Sequence, residues 1–299
     1  MNSEDPVQAE RTSEATRAPS ARSLRMAESA AKLGRRRAQV RYTFVERFTH
    51  AEEPPPLARM LRGGRGGQVR LKLYLSYLWL QKDDTPRELA IRHNAWATLF
   101  DLPDPEKAGA RRIADAQAWL EEHRFIDVTR TGRLNLVTVL DETGRGEPWT
   151  APGAAAKKEK ESSDLGALLH RYIQIPQAFW TNGHITVLSG AAVAMFLALL
   201  CENGGLGEDR ALWFSPREAE SRFALSEDTR SKGLRELARA GLVTTKRRPV
   251  NETDFQAEAL YMRNVHFLRL ERLTEPAAVT PRRRVVKVPK QRGTSENAP

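Results

Sequence analysis

The sequence predicts a mostly helical α+β chain: two similar units in tandem, with disordered basic N- and C-terminal tails. Three observations predict it. The length, 299 residues, suits about two domains at roughly 100–150 residues each. Two blocks, 57–149 and 170–272, show the same order of apolar, capping and turn signals. Outside them the chain has no lasting apolar period. Its 48 Lys and Arg against 38 Asp and Glu leave a formal net charge of +10. Hydrophobic residues make up 40% of the chain, enough for real cores but not for a wholly compact protein.

Residues 1–55, rich in Ser, Ala, Arg and Glu, read as a mostly disordered arm. Within it, VRYTFV (40–45) suggests a short strand or docking element, before EEPPP (52–56) breaks the chain. The first unit is placed at 56–149. Its helices are predicted over 69–80, 93–102 and 105–123, and a hairpin over 125–129 and 133–140 turns at Arg130-Thr131-Gly132. A polar stretch containing APGAAAKKEKESSD follows, and 150–169 reads as a linker.

The second unit, 170–273, is the clearer of the two. Residues 188–201 read as a buried helix, GGLG (204–207) as the turn after it, and Leu212-Trp213-Phe214 as a short strand. Ser215, Pro216 and Glu218 form an N-cap, a first helical position and a capping box. Ser226 caps a last helix over 227–240, which Gly241 stops. Strands are predicted at 242–247 and 260–270 around a polar loop. The end of this helix aligns without a gap to the first block: AWLEEHRFIDV (118–128) lies over RELARAGLVTT (235–245). Helix, strand, helix, turn, helix and hairpin is the winged helix-turn-helix order, so two tandem winged helix-turn-helix domains are expected. Residues 274–299 read as a disordered basic tail.

On a wheel of 100° per residue, Leu234, Leu237 and Gly241 cluster on one side of the last helix. Asp228, Thr229, Lys232, Arg235, Glu236 and Arg239 lie broadly opposite. Residues early in such a helix approach base edges and later ones reach phosphates. Asp228, Thr229 and Lys232 are therefore candidate base readers, and Arg235 and Arg239 candidate phosphate contacts. The competing reading is a solvated face. In the first unit the corresponding basic residues are Arg111 and Arg112, diluted by Asp115, Glu121 and Glu122. Trp119 is expected to pack on its own hairpin. Lys246, Arg247 and Arg248 are expected at the tip of the second wing, and Arg130 and Arg133 around Gly132 in the first, where Arg suits phosphates or a narrow minor groove. LARMLRGGRGG (57–67) places Arg62 and Arg65 where they can lie along a phosphate strand or serve as a flexible lead-in.

Little points to catalysis, and no enzyme, cofactor or metal is expected. The single cysteine, Cys201, excludes an intramolecular disulfide and a multi-cysteine metal site, and reads as a core residue. His50, His93, His123, His170, His184 and His266 show no metal-ligand spacing on a helix. No serine stands in a Gly-x-Ser-x-Gly context, and no glycine run ends as a Walker loop. The apolar run 191–201 is about half the ~20 residues of a membrane span, and the N-terminus lacks a signal-peptide pattern. A cytoplasmic, nucleoid-associated protein without membrane contact is expected.

The runs PPPLARMLRGGRGGQVRLKLYLSYLWL, GARRIADAQAWLEEHRFIDV, YIQIPQAFWTNGHITVLSG and FSPREAESRFALSEDTRSKGLRELARAGLV resemble a group of actinobacterial proteins with two winged-helix units. The likeness covers about 54–272. Around the last helix, Ser226, Thr229, Leu234, Leu237, Gly241 and Leu242 are similar to the MarR and GntR types of regulator. The paired arrangement resembles two-winged-helix plasmid replication initiators. The chain departs from the regulators in lacking a ligand-sensing domain and an obvious dimerisation helix. The resemblance implies sequence-specific binding to double-stranded DNA as a transcriptional regulator acting by occupancy. The alternatives are a plasmid or mobile-element replication-initiation or partition protein and, in another class, a winged-helix protein-interaction module. A homodimer stays open.

Overall fold

The computed structural model describes residues 16–48, 53–62, 66–82, 86–131, 134–160, 168–207, 209–249 and 262–281. Their architecture is α+β, about half helical, with three two-stranded antiparallel sheets. Ser20 caps α1 (Ala21–Ala31), its Oγ accepting from the Ser23 amide at 3.1 Å. β1 (Arg37–Arg41) and the single turn α2 (Tyr42–Val45) follow. The first block holds α3 (Pro56–Leu61), α4 (Gly67–Leu80), α5 (His93–Leu99), α6 (Ala108–Glu122) and the hairpin β2 (Ile126–Thr131) and β3 (Leu134–Val139). α7 (Pro152–Lys160), β4 (Tyr172–Pro176) and the single turns α8 (Ala178–Thr181) and α9 (His184–Val187) connect it onward. The second block holds α10 (Gly190–Asn203), α11 (Pro216–Phe223), α12 (Glu227–Arg239) and the hairpin β5 (Val243–Pro249) and β6 (Met262–Leu268).

The two blocks repeat in register. The gapless alignment sets Arg124 over Gly241, and both residues leave their helix in the left-handed region, at φ 60° and 74°. The next amide then reaches back: Phe125 to the Leu120 carbonyl at 2.9 Å, and Leu242 to the Leu237 carbonyl at 3.0 Å. This is the helix stop that a left-handed C′ residue provides, and Arg124 supplies it without glycine. A lone bridge adds a third chain segment to each hairpin, Leu89 to Val137 and Leu212 to His266. Val137 pairs with Val128 and His266 with Thr245, which the alignment makes equivalent positions.

The arm does not behave as the sequence reading expects. Between 16 and 48 it forms α1, β1 and α2, and β1 pairs antiparallel with β4, Gln39 opposite Gln174. The reason is local. α1 fully buries Ser23 and Ala27, with Met26, Ala30 and Ala31 packed partly buried against the core, and the Ser23 hydroxyl donates to the Leu99 carbonyl at 2.6 Å. β1 buries Ala38 and Val40. Arg41, also buried, pairs with buried Glu142 and donates to the Thr150 carbonyl at 2.9 Å.

The expected linker is likewise structured as far as 160. Trp149 and Ala151 are buried, Pro152 opens α7 from its first position, and the Gly153 amide donates to Gln39 Oε1 at 3.3 Å. Its Ala, Lys and Glu residues are good helix formers as well as polar ones. The start of the expected C-terminal tail is also docked: Ala277 and Val279 are buried, and Arg17 and Val279 exchange backbone hydrogen bonds of 3.1 and 2.9 Å. Residues 161–167 and 282–299 lie outside the described residues.

Buried apolar side chains from both blocks form one continuous core. α4 and α10 are apolar around most of their circumference, as helices buried on all sides are. They pack on each other near their N-termini, where the Gly190 amide donates to Gln68 Oε1 at 3.1 Å.

Candidate nucleic-acid interface

α12 is capped at its start by Ser226, whose Oγ accepts from the Thr229 amide at 3.2 Å, and fixed on its inner side by Gly233, Glu236 and Leu237. Gly233 lies against α10 so closely that a Cβ there would sit 2.4 Å from the Ala191 carbonyl oxygen. Leu237 is fully buried. Glu236, expected on the outer side, is 6% exposed. Its carboxylate accepts from the Ser189 amide at 2.8 Å, the Ser189 hydroxyl at 2.6 Å and the Arg17 guanidinium at 2.5 Å. The wheel misplaced Glu236 because a charge can face inward where a helix N-terminus and an arginine receive it.

The outer side carries most of the predicted residues. Asp228, Lys232 and Arg235 are exposed, and Thr229 and Arg239 are half-buried. Lys232 pairs with Asp228 at 2.7 Å, one turn away. The Thr229 hydroxyl lies 2.9 Å from Ser226 Oγ, which makes it part of the cap. Lys232, Arg235 and Arg239 line one groove of about 580 Å³ with Ser189 and Ala191 of the neighbouring helix start.

Lys246, Arg247 and Arg248 are not at a loop tip. They stand in the ladder of β5, opposite Val265, Asn264 and Arg263, because β5 continues to Pro249. Alternation then separates them. Lys246 and Arg248 share one face, 5.4 and 5.2 Å from the centroid of the Phe267 ring, while Arg247 points to the other. Arg248 faces Arg263 directly across the ladder, a like-charge pair that costs stability unless an anion compensates it. The Arg263 guanidinium lies 4.4 Å over the ring of Trp213, which is 40% exposed. Sequence reasoning passed over Arg263 and Trp213. They are fifty positions apart, and only the Leu212–His266 bridge brings them together. The alternation of Arg263 with Val265 and Phe267 was the available signal.

In the first block Arg111 and Arg112 are exposed on α6. Arg130 is held by Glu121 through hydrogen bonds of 3.1 and 2.8 Å, so its charge is answered within the chain. Arg62 is exposed at the end of α3, and its carbonyl accepts from Arg70 at 3.3 Å. Arg65 and Arg133 lie outside the described residues. Trp119 is stacked on His123 at 3.8 Å and on Phe125, at the root of its own hairpin, at 6.0 Å, and Arg70 of α4 lies 4.7 Å over it; its packing thus reaches the hairpin as well as α4 and its own helix end. Between the blocks, buried Lys72 of α4 donates to the Thr186 carbonyl at 2.9 Å. Desolvation pushes its ammonium down to about 7, with Glu236 opposing that shift and Arg17 and Arg112 adding to it. Charges carried by α6 and α12 thus act on one buried group.

Compared with protein-family models, curated proteins and solved structures, the chain matches none. Among the described residues, no group of three His, Cys, Asp or Glu side chains is placed to hold a metal ion. No described helix is long and apolar enough to cross a membrane.

Proposed function

We propose that this chain binds double-stranded DNA with sequence preference, as a transcriptional regulator acting by site occupancy. Each repeated block is read as a winged helix, with α12 as the reading helix of the second, β5–β6 as its wing, and α6 as the reading helix of the first. One observation carries the reading. α12 is locked from beneath by Gly233, Glu236 and Leu237, while its outer side and the adjoining hairpin display Lys232, Arg235, Arg239, Lys246, Arg248 and Arg263. A rigid helix with a free basic side beside a basic ribbon suits a major groove and its flanking phosphates.

Asp228 and Lys232 stand in the first half of the helix with exposed side chains. Their mutual pair, an exposed i,i+4 contact of about 0.3–0.5 kcal/mol, is readily exchanged for base edges. Arg235, Arg239, Lys246 and Arg248 hold phosphates. Lys232→Ala should relax sequence preference by about 1–3 kcal/mol at one base pair. Arg248→Ala should weaken all sequences alike and lower the salt slope by about one. Duplex binding measured by fluorescence anisotropy across a salt series reads both. Absence of salt-dependent duplex binding by the unmodified chain would overturn the reading in favour of a protein-interaction module.

A further inference from the structure

The turn between α1 and β1 builds a second basic surface, remote from α12. Lys32, Arg35, Arg36, Arg37 and Lys82 line one hollow of about 640 Å³, and no carboxylate lines it among the described residues. Asp83 and Asp84, next in sequence, lie outside those residues. The contrast with another hollow, of about 650 Å³, is chemical. There Arg41, Arg47, Arg59 and Arg145 stand among Glu46, Glu53, Asp141 and Glu147, so the charges cancel.

The basic hollow is rigid in its backbone. The Arg35 amide donates to the Trp79 carbonyl at 3.0 Å, and the Trp79 indole returns a bond to the Arg35 carbonyl at 3.0 Å. Gln177 donates from its amide to Arg36 at 2.8 Å and from its side chain to Ala31 at 3.0 Å. Gly34 approaches the Trp79 ring so closely that a Cβ would lie 2.6 Å from it, which is why the turn can wrap over that ring. The side chains of Lys32, Arg36, Arg37 and Lys82 are exposed.

Exposed cations bind a single small anion weakly, because each contact is screened by water and salt. They bind a polyanion well, because each phosphate neutralised releases condensed counterions. From these features we infer that the Lys32–Lys82 hollow takes the phosphate backbone of a DNA duplex outside the segment met by α12 and the hairpin. The inference rests on the DNA-binding reading above. The distance suits it: the hollow lies at the C-terminal end of α4, whose N-terminal end meets α10, and fourteen residues of helix span about 20 Å. That is about six base pairs along a duplex at ~3.4 Å each.

The test uses the full chain and a duplex of about 30 base pairs, followed by fluorescence anisotropy from low to high salt. Arg36→Ala/Lys82→Ala removes two exposed cations whose side chains make no hydrogen bond or ion pair among the described residues, and Lys157→Ala/Lys158→Ala removes two exposed cations on α7 as a matched control. Loss of two phosphate contacts should lower the slope of log affinity against log salt by about 1.8, and affinity at 0.15 M salt about 30-fold. The control pair should leave both within error, and the melting temperatures of both variants should match the unmodified chain. An unchanged slope in the hollow variant, while Lys232→Ala still weakens binding, would overturn this inference alone. An equal fall in the control would reduce it to net charge. Binding of inorganic tripolyphosphate that the hollow variant loses while its duplex slope stays unchanged would make the hollow a small-anion site instead. Failure of the unmodified chain to bind any duplex would remove the DNA reading itself.

Discussion

Gly233→Ala sets helix propensity against packing, and the two predict opposite signs. In a helix interior, alanine is favoured over glycine by about 1 kcal/mol. At position 233, however, the added Cβ would meet the Ala191 carbonyl oxygen at 2.4 Å, Met195 Cγ at 2.7 Å and the Ala191 carbonyl carbon at 2.9 Å. A carbon–oxygen contact settles near 3.3 Å, so α12 must lift from α10 by about 0.9 Å. Overpacking of this kind costs about 1–3 kcal/mol. The same shift stretches the bonds from Ser189 to the Glu236 carboxylate, now 2.8 and 2.6 Å, beyond hydrogen-bond range. A bond to a charged acceptor contributes about 1.5–3 kcal/mol, which leaves a net loss of about 2 kcal/mol or more. Urea unfolding, followed by circular dichroism with the slope checked for constancy, measures it. Ala238→Gly, on the exposed side of the same helix, supplies the propensity scale and should cost about 1 kcal/mol. A Gly233→Ala chain more stable than the unmodified one would refute the close α10–α12 contact.

Two further outcomes follow from buried groups. The Lys72 ammonium, lowered from 10.5 to about 7, binds fewer protons folded than unfolded between those pH values, so stability should rise with pH across that window. Below it the buried charge costs up to about 5 kcal/mol; Lys72→Met should stabilise the chain at pH 7 and flatten the rise, and an unaltered slope in unfolding experiments from pH 6 to 10 would contradict this. Burial pushes the Cys201 thiol well above its ordinary range, so alkylation of the native chain should be slow, while Cys201→Ala should cost on the order of 1 kcal/mol; fast labelling without unfolding would show the residue to be accessible.

What could be read from the sequence depended on how each element buries itself. The second block announced itself through caps that act locally: Ser215 and Ser226 accept from Glu218 and Thr229 as their spacing requires. The repeat was visible because Leu120 and Leu237, Phe125 and Leu242 are core residues in both units. α1 was harder to read, since its fully buried residues, Ser23 and Ala27, are small and its larger apolar Met26 is only partly buried. β1 is five residues long and gains its meaning only from β4, more than 130 positions away. Arg36 and Lys82 belong to one hollow because Trp79 pins the turn, a tertiary fact with no local signature. Lys246, Arg247 and Arg248 are legible as cations but not as ladder positions, because nothing in the sequence after Thr245 marks that pairing runs on to Pro249.

The shared core also changes how the two units must act together. A flexible tether would leave each unit folded by itself and set their joint action by linker length. Here the blocks complete each other. Trp79 of α4 stacks on Trp180 of α8 at 4.8 Å, and the Trp180 indole donates to the buried Ser76 hydroxyl at 2.9 Å. β1 has its partner strand in the other half, and Lys72 its acceptor. Cutting within 161–167 would bare both tryptophans. Each buries about 150–250 Å², at ~25 cal/mol per Å², so the pair represents at most about 8–12 kcal/mol, less what Gly34 and Phe179 still cover within each half. Even part of that is a large share of the stability of a typical domain, ~5–15 kcal/mol. Residues 1–160 and 168–299 expressed separately should therefore lack cooperative unfolding and dispersed amide resonances, and should recover both when co-expressed. If either half alone unfolded cooperatively with the spectrum it has in the full chain, the blocks would be autonomous, and the spacing of α6 and α12 on a duplex would again be set by the connection between them rather than by the fold.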